Sequence, residues 1–308
     1  VKESDDTALD SAVVDFIWFP AVSKWLCWTA GKVYVYGTKW TAATTTLAGV
    51  TDIKIHNTIA YAAMGVSTKY YYSTDGLTWT ITDLTDGYAV KFLVAPNSAG
   101  TADILWKFKT PNEVSNTTDG RTVAAGGVQW SSPNYIGDTA NNITNLFLCA
   151  NRLFIGKADS LWELDSDGGI KNLRSELKTN ISTANFQYVT TWQTGVYHSE
   201  GSQLGEIIGG QTFEPMGPLY GIDDIGKVGT IVGLTADRDW LFVAVDEGTN
   251  THIYKGHEAR REGGLRWEWC PWVFLSTNAC AAIAVCNHSA TDRRLWFGYG
   301  TTTGYVKL

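Results

Sequence analysis

The 308-residue chain holds only two Met and seven Pro, and charged side chains make up just 18% of it. No apolar run reaches 18 residues and no signal-peptide pattern is visible, so membrane insertion is not expected. Positive charge is short as well. The net charge is −7, and the basic pairs Arg260-Arg261 and Arg293-Arg294 stand alone, which argues against nucleic acid as a partner. The five Cys (Cys27, Cys149, Cys270, Cys280, Cys286) form no C-x-x-C. The five His (His56, His198, His252, His257, His288) form no H-x-x-x-H pair, so no zinc site or other metal centre is expected. Nor does any stretch of a dozen residues carry a 3.6-residue apolar period, which leaves helices without a signal.

What the chain has instead is aromatic strands: 13% of it is Phe, Trp and Tyr, with 14 Trp spread along its length. The clearest unit begins at Asn145. Apolar segments Leu146 to Ala150, Leu153 to Gly156, Leu161 to Asp165 and Ile170 to Leu173 are separated by turns rich in Asn, Asp and Gly. That pattern predicts a four-stranded meander of consecutive hairpins. Similar units start near Val13, Thr51, Ala89, Tyr188, Thr230 and Ala282, giving spacings of 38 to 56 residues. Such a period is that of one blade of a β-propeller. The expected fold is all-β, a propeller of four-stranded antiparallel blades, seven by this count, with six or eight as the counting error.

The unit from Ala282 shows three strands, not four. Propellers complete such a blade with a strand from the opposite terminus, since an open edge invites aggregation. Residues 1–12 are therefore expected as an N-terminal, ring-closing segment and 13–308 as the propeller domain. The segment is acidic (Glu3, Asp5, Asp6) and poor in strand formers, and the alternative is that the natural chain continues past Leu308.

Tyr72-Ser73-Thr74-Asp75-Gly76-Leu77-Thr78-Trp79 resembles the Asp-box of sialidase-like propellers, S-x-D-x-G-x-T-W, with one residue fewer between Asp75 and Gly76. Thr117-Thr118-Asp119-Gly120-Arg121-Thr122 is a degenerate copy in which Val123 replaces Trp. The resemblance implies a structural hairpin built on Ser73, Asp75, Gly76, Thr78 and Trp79. In such a turn the Asp accepts backbone N–H groups, the Gly takes a positive φ and the Trp packs into the blade. It does not carry over sialidase chemistry, because no F/Y-R-I-P motif is present to place the family's arginine triad.

No catalytic residue is assigned. A glycan hydrolase would need two carboxylates across a cleft. Asp223, Asp224, Glu214, Glu247 and Glu262 are the candidates, and without a supporting motif each reads first as a solvated loop acid. Asp165-Ser166-Asp167-Gly168-Gly169 with Glu176 imitates a calcium loop, but Gly169 and Ile170 break the pattern and a hairpin turn explains it. The cysteines read as buried thiols, with one disulfide from Cys280 as the other option. No cofactor is implied. Asn116, Asn142, Asn180 and Asn287 head N-x-S/T sites.

Aromatics are the remaining lead. Most belong to the core, whereas Trp130, Tyr135 and Trp272 are expected at the surface as ligand-binding residues able to stack on sugars or anchor proteins. Irregular blade lengths and Thr/Asn/Gly-rich loops resemble propeller domains of bacteriophage tail and adsorption proteins. That resemblance implies a non-enzymatic structural or binding module, extracellular or in a virion, whose partners are other protein subunits of an assembly or a surface glycan.

Overall fold

The computed structural model describes residues 2–5, 8–97, 100–164, 169–175, 177, 181–201, 203–208, 211–218, 229–261, 264–275, 280, 282–289 and 292–308. A short strand, β1 (Lys2–Asp5), comes first. Blade 1 is β2 (Val13–Phe19), β3 (Lys24–Thr29), β4 (Val33–Tyr36) and β5 (Trp40–Ala42). Blade 2 begins with β6 (Asp52–His56) and β7 (Ile59–Ala63). It is then interrupted by β8 (Gly65–Lys69) before β9 (Tyr71–Ser73) and β10 (Thr80–Ile81), and β8 pairs outside the blade with β11 (Tyr88–Ala89). Blade 3 is β12 (Lys91–Pro96), β13 (Asp103–Lys109), β14 (Glu113–Thr117) and β15 (Asn134–Tyr135). Blade 4 is β16 (Ile143–Cys149), β17 (Arg152–Lys157), β18 (Ser160–Leu164) and β19 (Ile170–Arg174). Blade 5 is β20 (Val189–Trp192), β21 (Gly195–Glu200), β22 (Gln203–Ile208) and β23 (Gln211–Met216). Blade 6 is β24 (Thr230–Ala236), β25 (Leu241–Asp246) and a long hairpin, β26 (Thr251–Arg261) and β27 (Gly264–Leu275). Blade 7 is β28 (Ile283–Ser289), β29 (Asp292–Tyr299) and β30 (Thr302–Lys307), with β1 in fourth place.

These are seven four-stranded antiparallel sheets, and each begins within two residues of a start expected from the repeat. The first strand of every blade touches the first strand of the next, from β2 through β6, β12, β16, β20 and β24 to β28, which meets β2 again. The first strands therefore ring a central axis. In blade 7, β1 runs antiparallel to β30 with Lys2 opposite Val306 and Asp5 opposite Thr303.

The core is divided into seven apolar clusters, one between each pair of neighbouring blades. Strand β3 shows how one strand serves two of them. Trp25 and Cys27 face blade 7, whereas Leu26 and Trp28 face blade 2, since successive side chains alternate across a sheet. Both faces are buried, so the strand reads as a nearly unbroken apolar run. Each large side chain so buried contributes about 1.5–3 kcal/mol. Cys149 and Cys280 are buried free thiols, Cys27 is buried and Cys270 is exposed, so Cys280 enters no disulfide. Burial pushes the Cys280 thiol up to about 12.

Candidate binding site

Chain direction fixes which loops gather at each end of the ring. All first strands begin at one end, and a cavity of ≈ 200 Å³ lies there on the axis. Its wall is made from residues in or just before those strands, and each blade contributes one to three of them. Blades 1 to 3 supply Asp15, Asp52, Lys54 and Lys91, and Asn145 and Gln187 follow. Blades 5 to 7 supply Val189, Leu234 and Ile283. One arc of the wall is thus charged and amide-bearing, and the opposite arc is mainly aliphatic.

Local backbone irregularity places several of these groups. The first strands of blades 1, 4 and 6 each bulge near their beginning, between Val13 and Asp15, Ile143 and Asn145, and Ile231 and Gly233. A bulge re-aims the residue that follows it. In blade 1 the Phe16 N–H donates to Asp15 Oδ1 at 2.8 Å. In blade 4 the Leu146 N–H donates to Asn145 Oδ1 at 3.0 Å, the same bond made by an amide. Gly233 has no side chain because a Cβ there would stand 2.8 Å from Ile283 Cγ1 of blade 7.

The charges on this wall are unevenly matched. Lys54 Nζ lies 3.3 Å from Asp52 Oδ1, while Asp52 Oδ2 accepts the Phe92 N–H at 2.8 Å. The Lys54 side chain stays 38% exposed to the channel. Lys91 Nζ donates to the Gln187 carbonyl at 3.1 Å, which also accepts from Asn145 Nδ2 at 3.2 Å. Among the described residues no carboxylate lies within 4.0 Å of Lys91 Nζ and no cationic nitrogen within that distance of Asp15. Burial pushes Asp15 up to about 6, outweighing the pull of Lys54. Burial also lowers Lys91, whereas Asp52 raises Lys54. Tyr188 beside them is pushed up to about 12 by burial.

The aromatic residues expected to bind ligand are not brought together. Trp130 does not reach the surface. It is 8% exposed, stacks on Phe92 at 6.3 Å and donates from Nε1 to Tyr70 Oη at 3.2 Å. The polar loop after it suggested exposure, but its own side chain turns into the cluster between blades 2 and 3. Tyr135 is 60% exposed at the edge of blade 3. Trp272 is half-buried in blade 6, packs against Phe242 and walls a second cavity of ≈ 160 Å³ with Trp240, Lys255 and Arg293.

The Ser73–Trp79 turn joins β9 to β10. Asp75 Oδ1 accepts the N–H groups of Leu77 and Thr78, each at 2.8 Å, and the Ser73 hydroxyl at 3.0 Å. Gly76 has φ +76, and Trp79 Nε1 donates to its carbonyl at 2.9 Å. In the turn at 117–122, Asp119 Oδ1 accepts the Arg121 N–H at 3.0 Å. With Val123 in the Trp position, the Gly120 carbonyl instead accepts Tyr70 Oη at 2.5 Å.

Of the acidic candidates, Asp223, Asp224 and Glu262 lie outside the described residues, as does the side chain of Glu214; Asp165 to Gly168 and Glu176 also lie outside. Glu247 is at the rim of blade 6, bound to His252 Nδ1 at 2.9 Å and Tyr254 Oη at 3.4 Å. Among the described residues no group of three His, Cys, Asp or Glu is placed to hold a metal ion, and no helix is long and apolar enough to cross a membrane. The cavity residues Asp15, Asp52, Lys54, Lys91, Asn145 and Gln187 were not singled out by sequence reasoning. The signal available was a polar residue at or near the start of an otherwise apolar first strand.

No protein-family model and no curated protein sequence matches the chain. Solved structures do. YCF48 from Cyanidioschyzon merolae superposes with a TM-score of 0.64 at 14% identity, over 99% of this chain and 98% of that one. The extracellular domain of a putative hybrid two-component system, BT4673 from B. thetaiotaomicron, gives 0.65 at 12% identity over 99% of this chain and 39% of that one. BBS1N in complex with ARL6DN gives 0.62 at 11% identity over 100% and 95%. At these identities the likeness is one of fold, that of a seven-bladed β-propeller.

Proposed function

We propose that this chain is a non-enzymatic propeller module that holds a protein partner, serving as a structural component of a virion, in a phage tail or adsorption apparatus, or of a cell surface. The observation that carries this reading is the segment Val123-Ala124-Ala125-Gly126-Gly127-Val128 between β14 and β15. Val123 is 58% exposed and Val128 47%, yet the segment is held in one shape. Its N–H groups at Ala125, Gly127 and Val128 donate to the carbonyls of Thr122, Thr122 and Asp119, and Val123 N–H donates to Asp83 Oδ1. An apolar loop presented in a fixed conformation has already met the ordering cost of a docking surface. Propellers of this fold include YCF48 bound to D1 peptide and BBS1N in complex with ARL6DN, which supports a protein as partner. In this reading Ser73, Asp75, Gly76, Thr78 and Trp79 form an Asp-box of purely structural role, and Tyr135 and Trp272 are secondary contacts to protein or surface glycan.

The test is a photo-crosslinking residue placed at Val123 or Val128 in the native assembly, with Val66, 51% exposed elsewhere, as control. Crosslinks to one defined protein from both loop positions and none from the control are expected. Equal labelling from all three positions would overturn the reading.

One observation favours the alternative, a glycan hydrolase with a carboxylate pair at the central face. Asp15, held near 6, and Asp52 line one cavity there. A carboxylic acid tuned towards neutrality is what a general acid needs. Asp52, however, is occupied by Lys54 and the Phe92 N–H. Turnover of a glycan panel that disappears in both D15N and D52N would establish hydrolysis; no turnover by the unaltered protein removes it.

A further inference from the structure

The axial cavity goes beyond docking through the blade 3 loop, because its charges are arranged for a ligand of their own. Around the ring, Asp15 of blade 1 and Lys91 of blade 3 flank the Asp52–Lys54 pair of blade 2. That central pair neutralises itself. Among the described residues neither flanking group has an opposite charge within 4.0 Å: Lys54 acts on Asp15 and Asp52 on Lys91 only from farther off, and each group is tethered by one backbone group, the Phe16 N–H or the Gln187 carbonyl. Half-buried charges with so little direct pairing carry a desolvation cost that a ligand contacting both offsets. Across from them Val189, Leu234 and Ile283 offer an aliphatic wall. The cavity of ≈ 200 Å³ lies below the roughly 300–1,000 Å³ of pockets for drug-sized ligands.

We propose that this cavity binds a small aliphatic zwitterion, a free amino acid, with its ammonium against Asp15, its carboxylate against Lys91 and its methylene body along Val189, Leu234 and Ile283. A ligand with one charge would satisfy one flank only.

The experiment is calorimetric titration with glycine, β-alanine, 4-aminobutanoate and 6-aminohexanoate, with butanoate and butylamine as single-charge controls. At least one zwitterion is expected to bind about tenfold or more tighter than either control, the difference of one charge-assisted contact. D15N and K91M should each weaken it by about tenfold or more, while K91R, which keeps the charge, should retain most binding. D15N is a safe variant for folding, because Asn145 already makes the same backbone bond at the corresponding bulge of blade 4. It decides the matter even if K91M fails to fold. No zwitterion binding at millimolar concentration, binding unchanged in D15N, or controls binding as well as zwitterions would each overturn the proposal. None of these ligands contains a glycosidic bond or touches the blade 3 loop, so the result is independent of both readings above.

Discussion

The ammonium of Lys107 sits 4.3 Å from the centroid of the Trp130 ring, with its side chain wholly buried. Its nitrogen donates to Asp86 Oδ2 at 2.9 Å and also to the Asp86 carbonyl. This arrangement ties β13 of blade 3 to the loop arriving from blade 2, and it roofs the indole that sequence reasoning had placed outside. Lys157 repeats the device one blade on, donating to the carbonyls of Ile136 and Asp138 at 3.1 and 2.7 Å. Cross-blade staples of this kind need a long cation that can reach carbonyls from within a strand.

Lys107 should make stability rise with pH in alkali. Burial depresses its folded pKa to about 8 against 10.5 for an ordinary lysine. Between those values the unfolded chain holds a proton the native chain has released, so unfolding free energy increases with pH across that window. In K107M this rise should vanish. At pH 7 the same variant should change stability by under about 1.5 kcal/mol, because Asp86 remains a third exposed and keeps Lys109 at 3.0 Å. Urea melts of both proteins from pH 7 to 10 measure it; an identical alkaline rise in K107M would show that Lys107 is not its source.

The repeat could be read because hairpin turns punctuate every unit, as at Ala150 and Asn151, whose φ values of 49 and 61 suit a two-residue turn. The Asp75–Gly76 turn was legible for the same local reason. Trp130 was not, since its direction depends on Phe92 and Tyr70, which lie 38 and 60 positions earlier. Nor was the excursion of β8 to β11, whose pairing skips over β9 and β10. The axial cavity was the least legible feature. Residues 15, 52, 54, 91, 145 and 187 meet only when the first strands of separate blades converge, and no spacing in the sequence expresses that.

The turn at Ser73–Trp79 should be sensitive to two substitutions for different reasons. Asp75→Ala leaves the exposed N–H groups of Leu77 and Thr78 to water and should cost about 0.5–1.5 kcal/mol. Gly76→Ala should cost at least as much. Its φ of +76 is unfavourable for a side chain, and the new Cβ would stand 2.8 Å from Leu26 Cδ2 and 3.3 Å from Val35 Cγ2 of blade 1. Thermal melts compare them; a Gly76→Ala protein as stable as the original would show that blade 1 can retreat.

Removing residues 1–5 should expose the edge of β30 and weaken the contact between blades 7 and 1. Asp5 lies opposite Thr303, a buried residue whose hydroxyl accepts Trp40 Nε1 at 2.8 Å from blade 1. The shortened chain should melt lower by about 2–4 °C for each kcal/mol lost, and its bare edge should promote association. Melting together with light scattering tests both effects. An unchanged melting point would mean that β1 adds little to the ring.

Asp15 and His198 should oppose each other in acid, and D15N should separate them. Asp15 has a folded pKa of about 6 against 3.8, so between those values only the native chain carries its proton, and acidification stabilises the fold. His198, buried against Phe186 at 4.6 Å, has its folded pKa pushed down to about 3 from 6.5. There only the unfolded chain is protonated, and acidification destabilises. From pH 6 to 4 the two slopes nearly cancel. D15N removes the Asp15 contribution while keeping the Phe16 N–H acceptor. It should therefore be more stable than the original protein at pH 7, by roughly 1–3 kcal/mol once channel water is allowed for. That advantage should shrink as pH falls through 6 and be gone by about 4, where the original Asp15 is largely protonated. Denaturant melts of the two proteins at pH 7, 5.5 and 4 give the difference directly, and shared groups drop out of it. A difference that does not vary with pH would mean that the Asp15 carboxyl is held by a cation or by water to an ordinary pKa, leaving no unpaired charge on that side of the cavity for an ammonium to meet.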